Sequence, residues 1–470
     1  MKRGTITVFL SLTLTVVLSL VGAVIESARY SALRMRTEMV MRMGLMSIFA
    51  EYNRELLNNY DLLFIDTAYG TGRPDIAATE DHLKTYIGYN SRPGKGIFSP
   101  GLNSFTAMNV ESAEIPLYSY ASDQGGRVFK RQAIEAVKNR FGAGIVKGVG
   151  NMVRDYKGSG VEDYNVDERR ARVESELKGV DLSAGDCPVE EVYDERPGII
   201  SRLVTEGAAV SDKRLELSDL ASHRRLNAGA GVVRPDSNPD SRLNDLLFDQ
   251  YLKWKMSCYT NDLSHSSCSY ELEYILNGKN TDQANLRDTV FKLFSIREAA
   301  DTMAVFKDSG KKGQCKTLAA LIALLLMSPE IVDPLTDMLL FTWGFAESVV
   351  DMRILLKGGK VPLMKDGSQF ILSNIVQLVT FLAIPVSAGS GNTGLSYEDY
   401  LTILLALENR DKKVMRAMDV IEMHMRTTDG NRGFRMDGCI DYAEAEVRLK
   451  AGGGYEFEIR RDYSYEAIAA

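Results

Sequence analysis

The spacing of hydrophobic and polar residues changes several times along the chain. The first stretch has no period at all. Residues 6–25 read ITVFLSLTLTVVLSLVGAVI, and no charge occurs between Arg3 and Glu26. Twenty helical residues rise about 30 Å, the thickness of a bilayer's hydrocarbon core. A helical period follows. Ala32, Met35, Met39, Met43, Met46 and Ala50 recur at steps of three or four and form one apolar stripe, with Arg29, Arg34, Arg36, Arg42 and Arg54 at the positions between. From Thr5 to Asn59 only Gly22 and Gly44 weaken a helix, and the first proline is Pro74. The pattern predicts one unbroken rod: residues 1–25 as an anchor and residues 26–60 as its outward continuation. Met35, Met39, Met43 and Met46 are the expected contact stripe, facing the chain's own domain or a neighbouring subunit. Thioether clusters also bind soft copper ions. Methionine more commonly fills irregular packing seams, and a seam is the expectation here.

Residues 58–61, Asn-Asn-Tyr-Asp, end the rod, and residues 62–65 read as extended. A small helix is expected at 77–88, an alternating strand at 105–120 and an amphipathic helix at 128–140. The six glycines of 142–160 suggest a loop or weak helix. A charged helix at 161–178, an irregular stretch at 181–198 and a helix at 199–226 complete a first α+β part, residues 61–226. NAGAGVVRPDSNPD, residues 227–240, is the clearest linker.

Residues 241–436 read as a helical block. Helices are expected at 241–256, at 271–276 with Asn277-Gly278 as the stop, and at 282–306. Asp333-Pro334 is a helix start, Gly358-Gly359 a stop, and Ser396 with Asp399 a capping-box variant for a helix reaching Arg426. Residues 437–470 alternate, turn at Gly452-Gly453-Gly454 and alternate again, which predicts a β-hairpin. The strand at 105–120 is positioned to pair with it. The fold class is α+β: a long N-terminal transmembrane-plus-stalk helix, a small antiparallel sheet with a C-terminal hairpin, and a large helical insertion. Residues 370–388 carry no charge but include Ser373, Asn374, Gln377, Thr380 and Pro385, which are costly in lipid, so a buried helix is expected there and not a second span.

The chain has 470 residues, 45% hydrophobic and 25% charged, as in ordinary globular proteins. The net charge of −7 argues against a nucleic-acid partner. Lys2 and Arg3 stay in the cytoplasm by the positive-inside rule, which puts the bulk of the chain outside it in a single-pass cell-membrane topology. The competing reading is a removable secretory signal cut near Val21-Gly22-Ala23.

Candidate chemistry is sparse. Residues 310–317, GKKGQCKT, miss the phosphate-loop spacing and read as a solvated loop. Residues 389–394 lack the nucleophile-elbow pattern. Glu347 and Asp351 lie four apart on an apolar helix and so share a face. Paired carboxylates can divide acid and base roles, but a polar edge or an ion pair with Arg353 or another cation is the plainer expectation. His82, His223, His265 and His424 are scattered, with no zinc spacing, and no metal or cofactor is expected. Cys258 and Cys268 would close a short loop if they bonded outside the cytoplasm; Cys187, Cys315 and Cys439 have no assignable partners.

Several segments carry a resemblance: KRGTITVFLSLTL from Lys2, ESARYSA from Glu26, FAEYNRELLNNYDLLF from Phe49, LEYILNGK from Leu272, FAESVVDMRILLKGGKVPL from Phe345, LSYEDYLTILL from Leu395 and RAMDVIEMHMR from Arg416. Together they resemble an uncharacterised domain family of single-anchor proteins from Gram-positive bacteria, mainly Firmicutes. That family is similar to pilin-like components of the tight-adherence (Flp-type) pilus. The resemblance implies prepilin-type cleavage between Gly4 and Thr5, because such precursors are cut after a glycine that follows basic residues. It also implies a glutamate at the fifth mature position, where this chain has Phe9. An accessory or permanently anchored role fits that departure better than a major fibre subunit. The function expected is therefore a non-enzymatic, membrane-anchored, extracytoplasmic structural or assembly component of a tight-adherence-type pilus or secretion apparatus. Its expected partners are membrane lipid and proteins of that apparatus. The alternatives are a secreted or anchored hydrolase with acidic residues such as Glu347 and Asp351, or an extracytoplasmic binding module.

Overall fold

The computed structural model describes residues 2–92, 105–142, 144–178, 196–205, 210–231, 241–263 and 267–465. Two compact units emerge: one from residues 1–132, 225–237 and 428–470, the other from residues 133–224 and 238–427. The fold class is α+β. The sequence expectations for 181–195, 232–240, His265 and Cys187 lie outside the described residues.

The first unit is built on α1 (Lys2–Phe49). The expected rod breaks after Phe49 and resumes as α2 (Arg54–Tyr60). Asn53 makes the break: its side chain accepts from Leu56 N at 3.1 Å, and its own N–H donates to the Phe64 carbonyl at 2.9 Å. An asparagine cap with its backbone committed elsewhere ends one helix and starts the next. The strands are β1 (Ile65–Asp66), β2 (Met108–Tyr120), β3 (Cys439–Ala451) and β4 (Tyr455–Ser464). β3 is central and antiparallel to the other three. Its alternation is regular: Ala443, Ala445, Val447 and Leu449 are buried, while Arg448 and Lys450 on the opposite face are exposed. The expected hairpin and its pairing with the strand at 105–120 are both present.

α1 and α3 (Ile76–Ser91) cover the apolar side of this sheet. Leu33, Val40, Met41, Leu45 and Ile48 of α1 join Leu83 and Ile87 of α3 in one core with the β3 side chains. Gly44 lies where α3 crosses closest. A Cβ there would sit 2.6 Å from Cγ1 of Ile87, so the glycine that weakens the helix also permits the crossing.

The second unit is helical. α4 (Asp123–Phe141) spans the division at Gln132, and α5 (Ile145–Ser159) and α6 (Val166–Glu176) follow. α5 forms despite its glycines because Val149, Val153 and Tyr156 are buried, which outweighs a propensity cost of about 1 kcal/mol per glycine. Among the described residues, α7 (Arg196–Thr205) is the part of the helix expected at 199–226 that forms. Beyond it the backbone bonds to other elements, as where Leu215 N donates to the Asn280 carbonyl. α8 (Arg242–Lys255), α9 (Glu271–Asn277) and α10 (Asp282–Lys307) match their expected positions.

α11 (Ser309–Leu325) replaces the expected solvated loop at 310–317. Asp308 caps it, accepting from the N–H groups of Gly310 and Lys311. α12 (Val332–Leu356) starts one residue before the expected Asp333 and stops before Gly358. Residues 370–388 do not form the expected buried helix. They hold a single α-turn (Gln377–Thr380) and one 3₁₀ turn (Phe381–Ala383), a second 3₁₀ turn starts at Ala388, and Val376 and Val379 are exposed. Asn374 and Gln377 bond the backbone locally, which turns the chain instead of extending a helix. α13 (Tyr397–Leu407) begins at the expected Ser396–Asp399 capping box. It ends at Glu408, and Asn409 caps α14 (Arg410–Met425), so the expected single helix is two.

Candidate functional site

Every residue singled out for processing or lateral contact lies on α1, whose two halves differ sharply. The stretch beginning at Ile6 is long and apolar enough to cross a membrane, and its most apolar 18-residue window is 0% buried. Among the described residues it is the one helix with that property. Leu10, Leu14, Val17, Val21 and Val24 are all bare. Gly4 lies in the first turn with open space around it, Thr5 follows in the same helix, and Phe9 is exposed.

The second half of α1 is gripped by the first unit starting at Glu26. The Tyr455 hydroxyl donates to Glu26 Oε1 at 2.6 Å. Arg29 Nη2 donates to the Gly452 carbonyl at 2.6 Å, and its guanidinium lies over the rings of Phe105 and Tyr455. Tyr30 packs on Tyr455 and Phe457. At the far end Phe49 packs on Tyr463 and Tyr465, and the Tyr465 hydroxyl donates to the Phe49 carbonyl at 2.8 Å.

The methionine stripe is not the face that the first unit covers. Met35, Met39, Met43 and Met46 are 67, 56, 42 and 50% exposed, whereas Leu33, Thr37, Val40, Met41, Leu45 and Ile48 face the core. Two apolar stripes share this helix, and the sequence reading weighed only the outer one. The inner stripe Leu33, Thr37, Met41, Leu45 and Ile48 also runs at steps of three or four, but two of its members are a threonine and a methionine and the methionine stripe is the more uniform signal. Arg42 is exposed beside the outer stripe, Arg34 is exposed farther round the helix, and neither forms an ion pair among the described residues. Arg36 donates to Thr106 and to the Asn90 carbonyl, and Glu38 pairs with Arg461 at 2.8 Å.

The carboxylate pair lies in the second unit and is sealed. Glu347 and Asp351 are 0 and 1% exposed. Lys365 Nζ donates to Glu347 Oε1 at 2.5 Å and to Asp351 Oδ1 at 2.6 Å. Arg297 Nη2 donates to Asp351 Oδ2 at 2.7 Å and to Asp301 Oδ1 at 2.5 Å, while Nη1 reaches the Tyr400 hydroxyl oxygen at 2.9 Å. Glu347 also accepts from the N–H groups of Ile371 and Leu372. Burial pushes the Asp351 carboxyl up, but Lys365 and Arg297 together outweigh it and hold it below the usual range. Burial wins at Asp301, which is raised well above that range against the pull of Arg297. Three carboxylates thus share two cations, and of Asp301 and Asp351 it is Asp301 that is favoured in its neutral form.

Such a cluster pins α10, α12 and the loop carrying Lys365 together. The ion-pair expectation holds, with Lys365 and Arg297 as the cations. The polar-edge expectation does not, because the pair is buried, and Arg353 instead donates to the carbonyls of Phe381 and Ile384. A hint of the cluster was present in the sequence: Arg297 and Asp301 lie at i, i+4 on a strongly apolar period. Elsewhere in this unit a cleft of about 400 Å³ is lined by Tyr164, Arg169, Arg172, Met303, Lys307 and Asp337 among others; neither Glu347 nor Asp351 reaches it.

Cys258 and Cys268 are both buried free thiols, so the loop that a bond between them would close is not made. The Cys268 Sγ donates to Asp282 Oδ1 at 3.5 Å, and burial pushes the Cys258 thiol up to about 12. Cys315 and Cys439 are likewise buried thiols, not half-cystines. No group of three or more histidine, cysteine or acidic side chains suited to a metal ion occurs among the described residues.

The model of a family of unknown function (DUF5702) matches residues 184–451. That is more than half of the chain, and the chain belongs to this family. No curated protein and no solved structure matches it.

Proposed function

We propose that this chain is a non-enzymatic, membrane-anchored, extracytoplasmic structural or assembly component of a tight-adherence-type pilus or secretion apparatus. One observation carries the reading: a single helix is bare and apolar over its first half and forms the wall of a folded unit over its second. The switch falls at Glu26, the first charge after the apolar run. A bare 20-residue apolar helix is stable in lipid and a liability in water. A rigid link from that helix into a sheet-based unit transmits position and load instead of acting as a flexible tether. Pilin-like parts need this division of labour, in which one end partitions into the membrane and the other presents a surface. The burial of Glu347 and Asp351 among Lys365 and Arg297 weighs against a hydrolase built on that pair.

Two measurements test the proposal. A Tyr89→Cys variant uses a side chain that is 83% exposed in the first unit. It should react with a membrane-impermeant maleimide on intact cells; labelling only after lysis would place that unit in the cytoplasm. Deleting the gene in the source organism should abolish surface filaments or secretion of the apparatus's cargo, with recovery from the full chain and not from one lacking residues 1–25. Normal filaments and secretion in the deletion strain would remove the assembly role.

A further inference from the structure

β4, with Tyr465 just after it, climbs beside α1. Tyr455 bonds Glu26 and packs on Tyr30, Arg461 pairs with Glu38 at 2.8 Å, and the Tyr465 hydroxyl reaches the Phe49 carbonyl. Strand and helix therefore run the same way, away from the bare half of α1. The hairpin turn at Gly452–Gly454 is the end of the strand pair nearest that half. Arg29 fixes its level, because Nη2 donates to the Gly452 carbonyl at 2.6 Å and Nε to the Phe105 carbonyl at 3.3 Å. With the hydrocarbon core ending at Ile25, a rise of about 1.5 Å per residue puts Glu26 about 1.5 Å beyond it and Arg29 about 6 Å beyond it. The headgroup layer is about 5–7 Å deep on each side. The hairpin turn and Phe105 are level with that layer.

The surface at that level suits the headgroup layer. Tyr30, 46% exposed, and Tyr455 present rings with a polar tip, the kind enriched at membrane–water interfaces, and Phe105 adds an apolar ring that is 39% exposed. The turn is three glycines, so it has no side chain to hold it off the layer. The charges nearest the turn are paired, Lys450 with Glu456 at 2.6 Å and with Glu111 at 3.5 Å, so contact there calls for no anionic lipid. The patch is also continuous with the bare apolar half of α1, which ends one residue before Glu26. We infer that the turn of the C-terminal hairpin and Phe105 seat in the phospholipid headgroup layer, as a second contact with the membrane beside α1. A contact on one side of a spanning helix fixes its rotation and tilt, which the length of the span leaves open. This inference rests on the anchored reading above and adds where the folded unit itself meets the membrane.

The test is photo-crosslinking to lipid. The full chain carries benzoylphenylalanine at one position at a time, is reconstituted in phosphatidylcholine vesicles, and is mapped by mass spectrometry after irradiation. Position 14 lies in the bare half of α1 and reports the anchor alone. Positions 105 and 456 report the proposed seat, one at Phe105 and one just past the hairpin turn. Position 89 is the control: Tyr89 is 83% exposed and lies two residues from Ile87, whose side chain meets α1 at Gly44, about 28 Å out by the same count. Adducts of one phospholipid are expected at 14, 105 and 456, and none at 89. An adduct present at 14 but missing at 105 or at 456 overturns this inference and leaves the anchor standing. Equal adducts at 89 and 105 overturn it as well, since the unit would then lie against the membrane in another way. No adduct at 14 overturns the anchored reading, and this inference with it.

Discussion

The Tyr455 hydroxyl and the Glu26 carboxylate meet at 2.6 Å across 429 residues of sequence. Glu26 is where the apolar run stops, and Tyr455 opens the last strand, just beyond the Gly452–Gly454 turn. The C-terminal hairpin therefore holds α1 at the residue where a membrane span would end.

Gly44 is required by the close approach of Ile87, so filling it is expected to push α3 away. Gly44→Leu should lower stability by about 1–3 kcal/mol in chemical denaturation of the detergent-solubilised chain. Ile87→Ala combined with it should cost less than the two changes summed, because the deletion makes the room that the insertion needs. Additive losses would mean that the two positions do not share one space.

Lys365 donates to two buried carboxyl groups at once. Lys365→Met should destabilise the second unit by about 3–5 kcal/mol, the usual consequence of leaving buried charge unpaired. Adding Glu347→Gln should recover part of the loss, since Arg297 then faces Asp351 without a second uncompensated anion. A double variant less stable than the single would contradict the pairing described.

Glu273 gives a pH signature of unusual sign. Burial raises its carboxyl from 4.5 to about 7, and Oε2 has no hydrogen-bond partner. Between those values the unfolded chain has lost the proton that the folded chain keeps, so this group's contribution to stability falls as pH rises from about 4.5 to 7 and stays low above that. A shift of that size corresponds to about 3 kcal/mol. Urea midpoints at several pH values should show the wild type losing stability over this window relative to Glu273→Gln. Parallel profiles would show that Glu273 is not held protonated.

The elements that local chemistry decides were legible in the sequence. Ser396 and Asp399 announced their capping box, the glycines at 452–454 announced the hairpin turn, and the charge-free run announced the bare half of α1. Where tertiary contacts outweigh local preference, the reading failed. Six glycines did not prevent α5, because its apolar face is buried; residues 370–388 turned back on local asparagine and glutamine bonds although they are charge-free. The stripe was half legible for a related reason. A period shows that one face is apolar, but not which of two apolar faces the protein covers itself. Lys365 was out of reach altogether, since its partners on α12 lie 14 and 18 residues away and share no helix with it.

Cys258 and Cys268 make the chain's redox state checkable. Both are expected to resist alkylation in the folded protein and to react after denaturation without any reductant, because they are buried and unbonded. Labelling that requires prior reduction would restore the loop-closing disulfide.

The bare first half of α1 is tested most directly by alkaline extraction of membranes carrying the full chain, beside a chain lacking residues 1–25. The full chain should stay in the pellet with residues 6–25 intact by mass spectrometry. The shortened chain should appear in the supernatant with its helical signal otherwise preserved, since the core contacts of α1 begin at Leu33. A full chain recovered in the supernatant, or a mature polypeptide beginning at Val24, would contradict the anchor.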